Sequence, residues 1–254
     1  MAELLVLFAS KGDEKAFKPV REILDKHKTK YDFRMASAHK TPDDVDDILK
    51  KKYKLVITGA GLAAALPGVV AAKTIAPVIG VPCSGSLEGL DSLLSIMQMP
   101  PGIPVLCTGV DNGRGAANAA LAILSKPKKV VLIGDNTSPP YKKIQSALDD
   151  FGVAPQQASH PENGAINIVC AELGKLPKEK GITIYCPVLS KESDKAETTL
   201  KLLKASSQGL WVGVNNGTNA AIAAIEILNM DGSFETKLKN YRKEQAEKVR
   251  AYDK

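Results

Sequence analysis

Short apolar runs alternate with amphipathic segments along most of the chain. In the first half, runs such as LLVLFA, KLVITG and PVIGVP each end in Gly, Pro or small residues. Between them, apolar residues recur at helical spacing, which predicts helices over about 13–26, 42–52, 62–74, 89–98 and 114–125. Strands that alternate with helices indicate a parallel sheet covered on both faces, a three-layer αβα fold of the α/β flavodoxin/Rossmann-like class.

The same pattern occurs twice. GVDNGRGAANAALAIL (109–124) and GVNNGTNAAIAAIEIL (213–228) align without a gap, and ten of their sixteen positions are identical. We therefore predict two tandem copies of one α/β unit. The first spans 1–126, a shorter second copy spans 129–230, and a charged helix closes the chain at 231–254.

Composition excludes several classes of function. The net charge is +6, but the lysines are dispersed and aromatic residues make up only 5%, which argues against a nucleic-acid partner. The four cysteines form no C-x-x-C pair and the three histidines are far apart, so we expect buried reduced thiols and no metal site. The N-terminus lacks the features of a signal peptide and no run is long enough to span a bilayer, so we expect a cytoplasmic protein without a membrane partner.

Ligands of parallel sheets bind at the carboxyl ends of the strands. In the first copy, the candidate stretches at these ends are SKGD (10–13), SAHKTP (37–42), GAGLAAALPG (59–68) and CSGS (83–86). We expect the functional site among them.

SAHKTP combines the features of a phosphate site with a group that can transfer protons. Thr41 is a good helix N-cap and Pro42 suits the first helical position, so a helix should begin just after Lys40. The helix N-terminus, the Ser37 hydroxyl and the Lys40 charge would together bind an anion. His39 would then lie beside the ligand, and an imidazole side chain can take up and return a proton. The alternative is a solvated loop histidine next to an ordinary helix cap.

The other two stretches are less specific. Asp13 could accept hydrogen bonds from sugar hydroxyls, or it could simply cap the helix that begins near Glu14. GAGLAA (59–64) matches G-x-G-x-x-A, but the next strand ends without the acidic residue of a dinucleotide site. Its glycines more plausibly let backbone amides approach a small ring or a carboxylate.

Taken together and in order, several stretches resemble the aminoimidazole ribonucleotide carboxylase and mutase family of purine synthesis: ASKGD, SAHKTPD, GAGLAAALPGVVAAKTIAPVIGVP, SLLSIMQMPPGIPV and GAANAALAIL. The resemblance implies an enzyme with a ribonucleotide substrate, a carboxylated imidazole product, and neither a metal nor an organic cofactor. The family is usually octameric with active sites at subunit junctions. A homo-oligomer, a tetramer of two-copy chains, would reproduce that arrangement.

Carried onto this chain, the resemblance makes His39 the catalytic proton shuttle. It also implies a set of substrate-binding residues for ribose, phosphate and ring: Ser10, Asp13, Ser37, Ala38, Lys40, Gly59, Ala60 and Gly61.

Two departures from the family pattern bear on the substrate. Lys40 stands where the mutases usually carry arginine, and Ala65 replaces a second histidine before L-P-G. We therefore favour direct carboxylation of aminoimidazole ribonucleotide by CO2. The alternative is a mutase that acts on the N-carboxy isomer, and a non-catalytic nucleotide-binding module is a remote third possibility.

The second copy has lost most of these features. QASHPEN (157–163) retains His160 but lacks the lysine and the T-P helix start. We expect this copy to be a structural half.

Overall fold

A computed structural model describes residues 3–189 and 194–253, which form one twisted sheet with helices on both faces. The elements of the first half are β1 (Leu4–Phe8), α1 (Glu14–Lys26), β2 (Tyr31–Met35), α2 (Pro42–Lys50), β3 (Leu55–Ala60), α3 (Ala65–Lys73), β4 (Val78–Pro82), α4 (Leu90–Met97), β5 (Leu106–Cys107) and α5 (Gly113–Leu124).

The second half repeats the alternation and adds a C-terminal helix. Its elements are β6 (Lys129–Gly134), α6 (Pro139–Asp150), β7 (Gln156–Gln157), β8 (Ala165–Glu172), β9 (Ile182–Val188), α7 (Lys195–Ala205), β10 (Leu210–Trp211), α8 (Gly217–Leu228) and α9 (Glu235–Arg250). Short 3-10 turns lie at Lys11–Asp13, Leu173–Lys175 and Asn229–Asp231.

The strand order of the first half recurs in the second. The sheet runs β2-β1-β3-β4-β5-β10-β9-β8-β6-β7. When each half is followed from its own outer edge towards the middle of the sheet, the two halves have the same strand order. Within each half the strands pair in parallel, as the alternating pattern predicts. The halves meet where β5 and β10 pair antiparallel through Cys107 and Trp211. This junction removes the free edges of β5 and β10, and the sheet ends at β2 and β7.

Both faces of the sheet are buried, which accounts for the continuous apolar runs of the strands. In β1, Leu4, Val6 and Phe8 pack in one cluster with residues of α1, α5, α6 and α8. Leu5 and Leu7 point to the other face and pack in a second cluster that includes residues of α2, α3, α4 and α7. The three-layer αβα prediction is therefore confirmed.

A close helix pair covers one face of each half. In the first, a Cβ at Gly113 of α5 would lie 1.9 Å from the Ala16 carbonyl oxygen of α1. In the second, a Cβ at Gly217 of α8 would lie 2.1 Å from the Pro140 carbonyl oxygen of α6. Only glycine allows the two backbones to approach this closely, so the matching glycines of the repeated sequence have the same packing role.

Helix α9 returns across the molecule and contacts both halves. The Tyr241 ring packs edge-on against Phe151, with centroids 5.8 Å apart. Arg242 donates to the Thr74 carbonyl oxygen at 3.3 Å and to the Glu226 carboxylate at 2.8 Å. This helix therefore ties the end of α3 to the second half.

Two details differ from the sequence prediction. The helix expected over 62–74 begins at Ala65, because Leu62 and Ala64 adopt left-handed φ angles of 55° and 30°. The helix expected over 42–52 ends at Lys50. All four cysteines are free and buried, as predicted. Among the described residues, no helix has the length and apolarity needed to cross a bilayer.

Candidate active site at the carboxyl edge of the first half

The loops that carry the predicted site residues are adjacent. Because β1 lies between β2 and β3, the segments that follow these strands emerge side by side. Backbone hydrogen bonds continue the pairing beyond the strands, from Ala36 to Phe8 at 3.1 Å, from Ala9 to Gly59 at 3.1 Å and from Cys83 to Ala60 at 3.0 Å. The sheet order thus gathers four segments that are distant in sequence.

Residues 37–41 form a compact turn that presents His39 and Lys40 to solvent. The Ser37 hydroxyl oxygen accepts from the Lys40 amide at 3.2 Å, and the Thr41 amide donates to the Ser37 carbonyl oxygen at 2.9 Å. Neither the His39 ring nor the Lys40 ammonium bonds to another described residue. Both side chains are exposed and available to bind a ligand.

Helix α2 begins as predicted, but Thr41 acts differently. Its hydroxyl accepts from the Ser37 amide at 3.0 Å and makes no capping bond to the helix. The hydroxyl therefore closes the turn, and the first amides of α2 keep their capacity to bind an anion. Ser37 uses its oxygen as an acceptor, which leaves its hydroxyl proton available for a ligand.

Ser10 and Asp13 have distinct environments in the loop after β1. The Ser10 hydroxyl accepts from the Gly12 amide at 3.0 Å and caps the short 3-10 turn. Asp13 is only 9% exposed, makes no side-chain capping bond, and its Oδ2 has no partner among residues 3–189 and 194–253. Burial raises its pKa, the neighbouring Cys83 side chain and Ser10 backbone lower it, and nearby Asp111 raises it further. A buried carboxyl oxygen without a partner is what a ligand hydroxyl would satisfy.

Asp111 is a site residue that sequence analysis missed. It lies two residues before α5 and has a left-handed φ of 54°. Its carboxylate accepts from the Ser84 amide at 3.0 Å and pairs with Lys15 at 2.7 Å. Burial opposes ionisation of Asp111, but the bonds from Lys15 and Ser84 prevail and lower its pKa. The repeat could have drawn attention to Asp111. Asn215 occupies the position that matches it in the second copy, and Asn215 also has a left-handed φ, of 55°.

The glycine-rich segment combines packing with backbone exposure. A Cβ at Gly59 would lie 2.3 Å from the Phe8 ring, so this glycine serves the sheet core. Ala60 ends β3 and is buried, whereas Gly61 is partly exposed and begins a turn closed by the Ala64 amide on the Gly61 carbonyl oxygen at 3.0 Å. The left-handed residues of this turn place strained backbone beside the site, where it can face a small ligand.

The second half has a corresponding crevice with different side chains. The Ala158 amide donates to the Leu132 carbonyl oxygen at 3.2 Å, just beyond the short pairing of β6 with β7. The segment that follows β7 carries Ser159 and His160. We call this region the second-half crevice; its volume is about 700 Å3, and its lining includes Gly134, Asn136, Ser159, His160 and Lys175.

The first half also matches a known family. The family model described as AIR carboxylase matches residues 3–134, just over half of the 254-residue chain. The chain belongs to the AIR carboxylase family. This match ends near the predicted boundary between the two copies and includes every residue of the candidate site.

Individual members of the AIR carboxylase family resemble the same half. An N5-carboxyaminoimidazole ribonucleotide mutase of Methanocaldococcus jannaschii is 47% identical over 123 residues, 48% of this chain and 78% of the relative. The mutase of Bacillus subtilis is 45% identical over 121 residues, 46% of this chain and 74% of the relative. A phosphoribosylaminoimidazole carboxylase of Schizosaccharomyces pombe is 42% identical over 125 residues, 47% of this chain and 23% of the relative. The crystal structure of Treponema denticola PurE is 30% identical, covers 48% of this chain and 79% of that chain, and has a TM-score of 0.44.

Proposed function

We propose that the chain is an enzyme of purine synthesis that forms 4-carboxy-5-aminoimidazole ribonucleotide in its first half. The substrate is the N5-carboxy isomer, so the reaction is that of a mutase. The observation that carries the proposal is the turn of residues 37–41, which presents an unpaired imidazole and an unpaired ammonium beside a helix N-terminus. The names of the archaeal and bacterial relatives support the mutase over the direct carboxylation favoured from Lys40.

The phosphate of the nucleotide binds at the start of α2. Lys40 supplies a full positive charge, the Ser37 hydroxyl donates a hydrogen bond, and the first α2 amides donate to the remaining oxygens. Ser10 lies on the neighbouring loop, and Asp13 accepts from the sugar hydroxyls through its unpartnered oxygen. These contacts fix the nucleotide with its imidazole ring towards His39.

His39 moves one proton out and back. As imidazolium it donates to the exocyclic nitrogen while the C–N bond breaks and CO2 leaves, with the electron pair staying on nitrogen. The electron-rich ring carbon then attacks CO2 and forms the new C–C bond. Neutral His39 removes the hydrogen of that ring carbon, which restores the aromatic ring and the imidazolium.

The turn at 60–64 holds the released CO2. Its backbone amides lie beside the site and donate to the developing carboxylate. Ala60 and Gly61 contribute no bulky side chain, so the ligand can approach the backbone. Ala38 has the same small size in the turn that carries His39.

We further propose that the second half is a degenerate structural copy. The matching strand order and helix contacts support an origin from one unit, with boundaries at 1–126 and 129–230 and a C-terminal helix at 231–254. The second half would replace a neighbouring subunit of the family, so that four chains assemble as a tetramer. Sedimentation of the purified protein tests this assembly, and a stable monomer contradicts it.

Direct carboxylation is the second candidate. Lys40 and Ala65, where mutases carry arginine and histidine, favour it, and the fungal relative bears a carboxylase name. The two reactions differ in the source of the carboxyl group. We expect the N5-carboxy isomer to be converted in 13C-bicarbonate with no label in the product. Labelled product, or turnover only of aminoimidazole ribonucleotide with CO2, would establish the carboxylase instead.

A further inference from the structure

A second cavity lies at the opposite edge of the sheet from the candidate active site. It is bounded by the amino ends of β3 and β4, by residues 229–232 and by α9, and its volume is about 680 Å3. We call it the basal cavity. Strand β3 has six residues, which separates the basal cavity from the active-site loops by roughly 20 Å. A cavity of this size can enclose a small organic ligand.

Arg242 lines the basal cavity with part of its guanidinium unsatisfied. Its Nη2 donates to Glu226 at 2.8 Å and to the Thr74 carbonyl oxygen at 3.3 Å. Its Nε and Nη1 are buried without a hydrogen-bond acceptor anywhere in the part of the chain that the structure describes. Glu226 is 2% exposed and compensates only one edge of the cation. Leaving two buried charged donors unpaired is costly, and a bound anion would supply the missing acceptors.

Among all the charged side chains that line the basal cavity, basic ones predominate. Three acidic side chains, Glu226, Asp231 and Glu235, face six basic ones, namely Lys51, Lys52, Lys54, Lys73, Lys239 and Arg242. Several of these lysines pair with carboxylates at the rim, for example Lys51 with Asp32 and Lys73 with Asp46. Lys52 makes no ion pair within the described residues. Lys54 and Lys239 are also paired, with Glu3 and Glu235, so the cations available to an anion are Lys52 and the unsatisfied part of Arg242.

The wall between these charges is apolar. Leu49, Val56, Ile75, Pro77 and Met230 line the cavity together with the charged side chains. A free inorganic ion would leave this wall uncovered. A ligand with both an anionic group and an uncharged ring would cover it, and the hydrophobic contact would add to its affinity.

We propose that the basal cavity is a binding site for a small organic phosphate, separate from the active site. The Nε and Nη1 groups of Arg242 donate to the phosphate, a geometry that the planar guanidinium favours. Lys52 adds a second cation, and the ring or chain of the ligand lies on Ile75 and Met230. Because α9, β3 and residues 72–77 all line the cavity, the bound ligand joins the C-terminal helix to the first half.

Calorimetric titration of the full chain with adenosine monophosphate tests this site. The Ser37→Ala/Lys40→Ala variant is used so that phosphate binding at the proposed active site is removed. We expect one saturable site, at least tenfold weaker binding of inorganic phosphate, and no binding of uncharged adenosine. The absence of saturable heat up to about 5 mM nucleotide would overturn the proposal.

Two further substitutions locate the site in that background. Arg242→Gln should weaken binding at least tenfold. Ala72→Trp, which fills the cavity from an exposed position of α3 and leaves the Arg242–Glu226 pair intact, should abolish it. Lys18→Ala, on the exposed surface of α1, is the matched control and should bind normally. If Ala72→Trp binds the nucleotide as tightly as the control, the basal cavity is not the site, whether or not Arg242→Gln folds.

Discussion

The two halves of the molecule share a scaffold and differ at one edge. Each has the same strand order, and each packs a glycine of one helix against a carbonyl oxygen of another. At the carboxyl edge, the first half has His39, Lys40 and Asp111, whereas the second half has His160 in its crevice and Asn215 at the position that matches Asp111 in the repeat. The scaffold depends on many apolar and small positions, whereas the chemistry depends on a few loop residues. Loop residues can therefore change while the fold persists.

The largest expected effect is a difference in turnover number between variants of His39 and His160. His39→Asn should lower the turnover number by about 10²–10⁴-fold, because the proton shuttle is lost while the phosphate contacts remain. His160→Asn, in the second-half crevice, should change turnover less than twofold. Both variants are assayed by absorbance with the N5-carboxy isomer as substrate. Equal losses in the two variants would show that the second half also carries chemistry.

The next largest effect is a difference in KM between variants of Lys40, in the candidate active site, and of Lys175, in the second-half crevice. Lys40→Ala should raise KM by about 10–100-fold, since a charge-assisted contact to phosphate contributes about 1.5–3 kcal/mol. Lys175→Ala removes a cation from the second-half crevice and should leave KM unchanged. Steady-state kinetics of both variants decide the point. An unchanged KM in Lys40→Ala would contradict the proposal that the phosphate binds at the start of α2.

The shared scaffold predicts equal sensitivity in both halves. Gly113→Ala and Gly217→Ala each force a Cβ to within about 2 Å of a carbonyl oxygen. Each should lower the free energy of unfolding by about 1–3 kcal/mol, the usual cost of overpacking. Urea denaturation measures both. Gly85→Ala, in an exposed loop where the new methyl group would meet only the Leu62 side chain at an ordinary contact distance of 3.6 Å, is the control.

The smallest effect concerns stability at the active edge. Asp13 has a raised pKa in the folded protein, so its contribution to stability is greatest below the unfolded pKa and is lost as pH rises through the folded pKa. Asp13→Asn should therefore raise the free energy of unfolding by about 0.5–2 kcal/mol at neutral pH, with a smaller gain near pH 4. Substrate binding should weaken. Urea titrations at both pH values test this, and a loss of stability at pH 7 would show that Asp13 is satisfied in the fold.

Much of the scaffold follows from local sequence. The strand LLVLF is apolar at every position because both faces are covered, and α1 carries apolar residues at helical spacing. The repeat at 109–124 and 213–228 indicated a matching helix in each half, α5 and α8. These features depend on short-range periodicity, which a single sequence displays directly.

The remaining features depend on contacts between distant segments. The β5–β10 junction is a single residue pair, Cys107 with Trp211, and nothing in LC or LW specifies the partner. The Asp111 contacts to Lys15 and Ser84 join two loops to α1, and the Glu226–Arg242 pair joins two helices. Thr41 was predicted as a cap from its position, but its hydroxyl is used by Ser37. Such choices between competing partners are made by tertiary structure.

The central claim is that a single imidazole in the first half exchanges a proton with the ring carbon of the nucleotide. A crystal structure with the carboxylated nucleotide bound tests this most directly. We expect one nucleotide per chain, its phosphate at the start of α2 and the His39 ring within about 3.5 Å of the carboxylated ring carbon or the exocyclic nitrogen. A nucleotide bound only in the second-half crevice, or a His39 ring turned away from the heterocycle, would contradict the account.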